Sequence, residues 1–94
     1  MLNNKQKIME WLECEFIGAD VEHARKPPND KFSVKTRDSL MLLIVSDVIQ
    51  ESKTPNKLID EFTSRDVIST MNKNPRKAIH VTQHKISIRE LNEI

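Results

Sequence analysis

One glycine, no tyrosine and one cysteine are all that this chain of 94 residues has of three common building blocks. With Gly18 as the only glycine there is no Gly-rich loop to cradle a phosphate, so nucleotide-binding enzymes of that kind are excluded. Left-handed backbone positions other than Gly18 must fall to Asn or Asp. Cys14, standing alone, cannot close an intramolecular disulfide, so the chain needs no oxidising compartment. Aromatic side chains make up 4% of the sequence, too few for a stacking platform that binds single-stranded nucleic acid. No stretch approaches the roughly 18 consecutive apolar residues of a membrane span, and Lys5 and Lys7 near the start are followed by no apolar signal core. A cytoplasmic location follows as the expectation. Neither a serine–histidine arrangement nor a paired-carboxylate signature is visible, so an enzyme is not expected, nor a cofactor or bound metal.

What is present is charge. Fifteen basic residues face 14 acidic ones, a formal net of +1. That balance disfavours a binder that relies on bulk positive charge, so any attraction for a polyanion must be local. It is local in the sequence: from Lys73 to Arg89 there are five basic residues, two histidines and no acid. The opposing acids, Asp47, Glu51, Asp60, Glu61 and Asp66, precede that stretch. A run of this kind is equally the solvated face of an ordinary helix.

Periodicity predicts a mainly α domain spanning 1–94, with an α+β arrangement as the alternative. Ile8, Trp11, Leu12 and Phe16 recur at helical spacing over 3–17, with Asn3 or Asn4 to cap the start and Gly18 at the end. Residues 19–35 read as a loop or small hairpin around Pro27-Pro28, since Val21, His23, Phe32 and Val34 alternate with polar neighbours. Residues 36–94 read as a helical unit. The apolar run Leu40–Val45 is short enough for a buried strand, but its Leu and Met content favours a central helix. Thr54-Pro55 starts a helix with Leu58, Ile59 and Phe62 inward.

Residues 63–86 read as a candidate helix-turn-helix. Thr63 and Asp66 form a start signal, Asn72 takes the turn, and Asn74-Pro75 opens a second, basic helix over about 75–86. Such a helix can lie in the DNA major groove. Lys73, Arg76, Lys77, His80, Gln83, His84 and Lys85 are then the DNA-binding candidates. Arg76 can fork onto guanine, Gln83 can pair with adenine, and Lys73 and Lys77 can hold phosphates. A second register makes 64–73 the recognition helix and 78–88 a β-wing, and 79–88 also fits a hairpin.

The sequence therefore predicts a small DNA-binding regulator of transcription acting on double-stranded DNA. A homodimer suits a palindromic site, with the first helix as the dimer contact. The alternative is an inhibitor or adaptor that binds a partner protein by surface complementarity. No membrane partner is expected.

Overall fold

The computed structural model describes residues 2–93. They form helix α1 (Asn4–Glu15), strands β1 (Asp20–Lys26), β2 (Asn29–Lys35) and β3 (Leu40–Ser46), helices α2 (Asp47–Glu51), α3 (Pro55–Ser64) and α4 (Val67–Lys73), strands β4 (Lys77–Val81) and β5 (Ile86–Glu90), and a final 3-10 turn at Leu91–Glu93. The sheet has five strands in the order β1-β2-β3-β4-β5. All neighbours run antiparallel except β3 and β4, which are parallel. That parallel pair requires a crossover, and the three helices of residues 47–76 supply it.

This α+β architecture overturns the mainly α expectation. The decisive segment is Leu40–Val45. It is apolar at successive positions because β3 is the middle strand and is buried on both faces, so it shows no period of two. The proposed helix-turn-helix over 63–86 is likewise absent. Thr63 does not start a helix: its hydroxyl donates to the carbonyl of Ile59 at 2.9 Å, and α3 runs on to Ser64. Asn74-Pro75 opens no second helix. Asn74 ends α4, Arg76 takes a left-handed conformation (φ 66°), and the segment proposed as the basic helix is β4 plus the turn into β5. The hairpin alternative for 79–88 and the hairpin of 19–35 match the strands that form.

Two local signals do hold. Asn3 caps α1 by accepting from the Gln6 amide at 2.8 Å, while Gln6 Oε1 accepts from the Asn3 amide at 2.9 Å. Thr54-Pro55 begins α3, with Leu58 and Phe62 buried. The Thr63–Asp66 start signal does not hold: Asp66 precedes α4 in a left-handed conformation (φ 54°) and its side chain caps no amide, and Arg76 (φ 66°) shows that such positions do not fall to Asn and Asp alone.

The helices cover one face of the sheet. Ile8 and Leu12 of α1, Leu58 and Phe62 of α3, and Val67 and Met71 of α4 form one core with Phe32, Val34, Met41, Leu43, Val45, Ile79 and Val81. Within each strand those residues alternate, so they all project to the same side. Trp11 lies against Phe62 with ring centroids 5.5 Å apart, anchoring α1 to α3. The opposite face carries a much smaller cluster, Leu42, Ile44 and Ala78, on which Leu91 of the final turn packs.

Candidate nucleic-acid interface

Strand pairing fixes what the second, helix-free face displays. Ala24, Lys31, Ile44, His80 and Ser87 are successive cross-strand neighbours. Glu22, Ser33, Leu42, Ala78 and Arg89 form the adjacent row. Beyond it lie Asp20, Lys35 and Leu40. At roughly 4.8 Å per strand, each full row crosses about 19 Å. The apolar members Leu42 and Ile44 are buried, at 7% and 5% exposure. Solvent at the centre of this face therefore meets lysine, arginine, serine and histidine, with Leu40 exposed at the margin. The acids, Asp20 and Glu22, are confined to the outer strand β1.

The cations of this face are also unpaired. Among the described residues, the ion-paired cations are Lys7 with Glu10, Arg25 with Asp47 and Asp30, Lys53 and Arg65 with Glu61, and Lys77 with Glu90. None of these lies on the helix-free face. Lys31, Lys35, Lys85 and Arg89 have no carboxylate partner among the described residues. Lys85 and Arg89 both act on His80. Its partial burial, with their two positive charges, pushes its pKa below the ordinary histidine value.

The sequence-predicted residues are divided by this geometry. Lys73 ends α4, and Arg76 sits in the α4–β4 connection with Nη2 donating to the carbonyl of Asp38 at 3.2 Å. Lys77 projects to the helix side of β4 and is engaged by Glu90. His80, three residues on, projects to the other side, its Nε2 3.4 Å from Asn29 Oδ1. Gln83, His84 and Lys85 are exposed in the β4–β5 turn. His80 and His84, both assigned to the basic helix over about 75–86, thus belong to a strand and a turn. His80 and Lys85 are brought together, and Arg89 joins them. Lys31 and Lys35 were missed, although the alternation Lys31-Phe32-Ser33-Val34-Lys35 is the signal of a strand with one charged face.

Arg65 holds the turn in place. Its Nη1 and Nη2 donate to the carbonyls of Thr82 and Gln83, both at 2.7 Å, while Nε donates to Glu61 at 2.6 Å. Thr82 and Lys85 close the turn, the Thr82 amide donating to the Lys85 carbonyl at 2.9 Å and the Lys85 amide to the Thr82 hydroxyl at 3.2 Å.

A second polar constellation lies at the opposite edge of the sheet, around the β1–β2 turn. Asp30 is 1% exposed. Its carboxylate meets His23 Nε2 and Gln50 Nε2, each at 2.8 Å, and Arg25 Nη1 at 3.3 Å. Arg25 also grips both carboxylate oxygens of Asp47 at 2.5 Å. Asp30, Arg25, Asp47 and Gln50 line an open cleft of about 410 Å³ with Asn3, Asn4, Lys5 and Glu51. Burial opposes ionisation of Asp30, but the hydrogen bonds from His23 and Gln50 and the charges of Lys5 and Arg25 outweigh it. Its pKa is held below the ordinary carboxylate value. Every oxygen of Asp30 and Asp47 is thus engaged by the protein itself, which makes this cluster a clamp joining β1, β2 and α2.

Compared with known proteins, the chain matches no family model, no curated protein and no solved structure. Among the described residues, no helix is long and apolar enough to cross a membrane.

Proposed function

We propose that this protein is a small DNA-binding regulator that contacts double-stranded DNA through the helix-free face of its sheet, not through a helix in the major groove. The observation that carries the reading is a gathering of cations: among the described residues Lys31, Lys35, Lys85 and Arg89 stand without a carboxylate partner on or beside one surface, whereas the ion-paired Lys7, Arg25, Lys53, Arg65 and Lys77 lie off it. Lys5, Lys57, Lys73 and Arg76 lack such a partner too, but they are scattered over the helices and the α4–β4 connection. Serines at 33 and 87 stand between them as hydroxyl donors.

The composition of that surface favours phosphate over other partners. Lys, Arg and Ser are the side chains that contact the DNA backbone. Leu42 and Ile44 at its centre are covered. Only Leu40, at its margin and 38% exposed, offers a large apolar side chain to solvent, far from the central aromatic or arginine anchor that dominates a protein–protein interface. Phe32 and Phe62 are buried in the helix-side core and Trp11 and Phe16 pack against it, leaving no Phe or Trp ring on this face for a base to stack on. A row of about 19 Å corresponds to five or six steps of roughly 3.4 Å along one DNA strand. Contact of this kind positions the protein on DNA without reading bases. A cytoplasmic setting belongs to the same proposal.

The test is a titration of a labelled duplex pool at two salt concentrations. Binding that weakens steeply with salt, with a slope set by about four phosphate contacts, supports the reading. Absence of binding at low salt overturns it and leaves an acidic protein surface, met by an inhibitor or adaptor, as the occupant of the same cations.

A further inference from the structure

The helix-free face is not level. Along its middle run Leu42 and Ile44 of β3 and Ala78 of β4, and Leu91 of the final turn packs on them. Strand pairing puts the cations to either side. Lys31 and Lys35 belong to β2, next to β3, while Arg89 belongs to β5, next to β4, and Lys85 to the turn before it. The row Ser33-Leu42-Ala78-Arg89 therefore passes beneath Leu91.

The alternation of β5 explains the placement. Arg89 projects to the helix-free side, and Glu90, opposite Lys77, to the other. Leu91 comes next and is delivered to the helix-free side. There the chain leaves the strand for the turn Leu91–Glu93, and the leucine reaches the apolar strip. The helix-side core holds fourteen buried residues and this strip only three, so the fold does not depend on Leu91 staying in place.

On the reading of this face as a surface for duplex DNA, we propose that the turn Leu91–Glu93 is a latch closed over it and that a duplex displaces the latch. A duplex laid across the face must reach β2 and β5 together, and the leucine stands between them. What it must break is the packing of one partly buried leucine side chain, worth a factor of about ten in the equilibrium between closed and open forms. In the closed form the leucine shields the strip from water, and in the complex the duplex does so instead. Apparent affinity is the intrinsic affinity multiplied by the open fraction, so the latch sets it without touching DNA. The salt slope is set by the cations, so the two contributions are separable.

Leu91→Ser tests the proposal, measured beside the parent chain with a labelled duplex. The substitution leaves the helix-side core untouched, and circular dichroism should show both proteins folded. The closed form should fall from roughly nine-tenths of the population to about half, so Leu91→Ser should bind about fivefold tighter with an unchanged log–log salt slope. Leu91→Met, which keeps the apolar contact, should bind like the parent. In the free parent protein a nuclear Overhauser effect should join the methyl groups of Leu91 and Ala78, and saturating duplex should abolish it. Equal affinity of Leu91→Ser and the parent, or a Leu91–Ala78 effect that persists in the complex, overturns the latch and leaves the sheet-face reading standing. Absence of binding by both proteins at low salt overturns the two together.

Discussion

The guanidinium of Arg65, just past the end of α3, donates to the carbonyl of Thr82 at 2.7 Å, and so joins the helix layer to the turn that presents Lys85. The same side chain holds Gln83 and Glu61, so three elements of the fold share one anchor. The anchor explains how a turn with no glycine and no Asn-Gly pair keeps one shape. Its geometry is imposed from outside by tertiary hydrogen bonds.

Replacing Arg65 by Ala removes charge-assisted hydrogen bonds and leaves two carbonyls to find water. The expected loss of stability is about 1–3 kcal/mol. For a domain of this size, each kcal/mol lowers Tm by about 4–8 °C. The Thr82 and Lys85 amides should exchange with solvent faster than in the parent protein. An unchanged Tm with unchanged exchange at these two amides means the turn is self-sufficient.

Asp30 makes a different forecast. Its pKa is depressed in the folded protein, so the stabilisation it contributes is complete above the unfolded-state pKa of about 3.9. It is lost as pH falls through the lower folded value. Stability should therefore drop steeply below about pH 4, and Asp30→Asn should flatten that part of the profile. Asp30→Ala, which leaves His23, Gln50 and Arg25 facing a void, should cost on the order of 3 kcal/mol at pH 7. Denaturant titrations at a series of pH values read both effects. A profile for Asp30→Asn that parallels the parent's would remove this account of the clamp.

His80 couples binding to protons. Burial and the charges of Arg89 and Lys85 lower its pKa, so it is neutral in the free protein at pH 7. Phosphates drawn to Lys85 and Arg89 bring negative charge towards the ring and raise that pKa. Binding of DNA should then take up protons and tighten as pH falls from about 7.5 to 5.5, across the unperturbed histidine pKa. Calorimetry in buffers of different ionisation enthalpy measures the uptake. No uptake in the parent protein, or the same uptake in His80→Ala, counts against a phosphate near this strand.

Some of this organisation was legible in the residues and some was not, for physical reasons. The Asn3–Gln6 capping pair and Thr54-Pro55 act within a single turn of helix, and their outcome is local. The alternation around Phe32 and Val34 marked a strand because one of its faces is polar. Leu40–Val45 lacks that contrast: covered by helices on one side and by Leu91 on the other, it has no polar face to betray its period. Thr63, Asp66 and Asn74 all have the chemistry of caps, yet only the assembled core decides which of them ends or begins a helix. Arg76 at positive φ illustrates the same limit, since neither Asn72 nor Asn74 takes the left-handed position there. For the interface, charge density along the chain located His80 and Lys85 but joined them to Lys77. Residues three apart share a helical face and oppose each other in a strand. Lys31 and Lys35 come from a segment more than 40 positions earlier, and only strand pairing brings them alongside.

That difference separates the two ways this protein could meet DNA. On a basic helix over 75–86, Arg76 and Lys77 are central and Lys31 is irrelevant. On the sheet face, Lys77 points to the helix side, occupied by Glu90, while Lys31 and Arg89 stand over solvent. Lys77→Ala should therefore leave affinity for duplex DNA and its salt dependence unchanged. Lys31→Ala and Arg89→Ala should each weaken binding, reduce the log–log salt slope by about 0.9, and do so equally for unrelated sequences. The double variant should lose about 1.8 from the slope, because the two sites lie on different strands and neutralise different phosphates. All three positions are at the surface, so thermal melts should confirm folding in each. A slope that falls with Lys77→Ala but not with Lys31→Ala would return recognition to the β4 side of the molecule and refute the sheet-face interface.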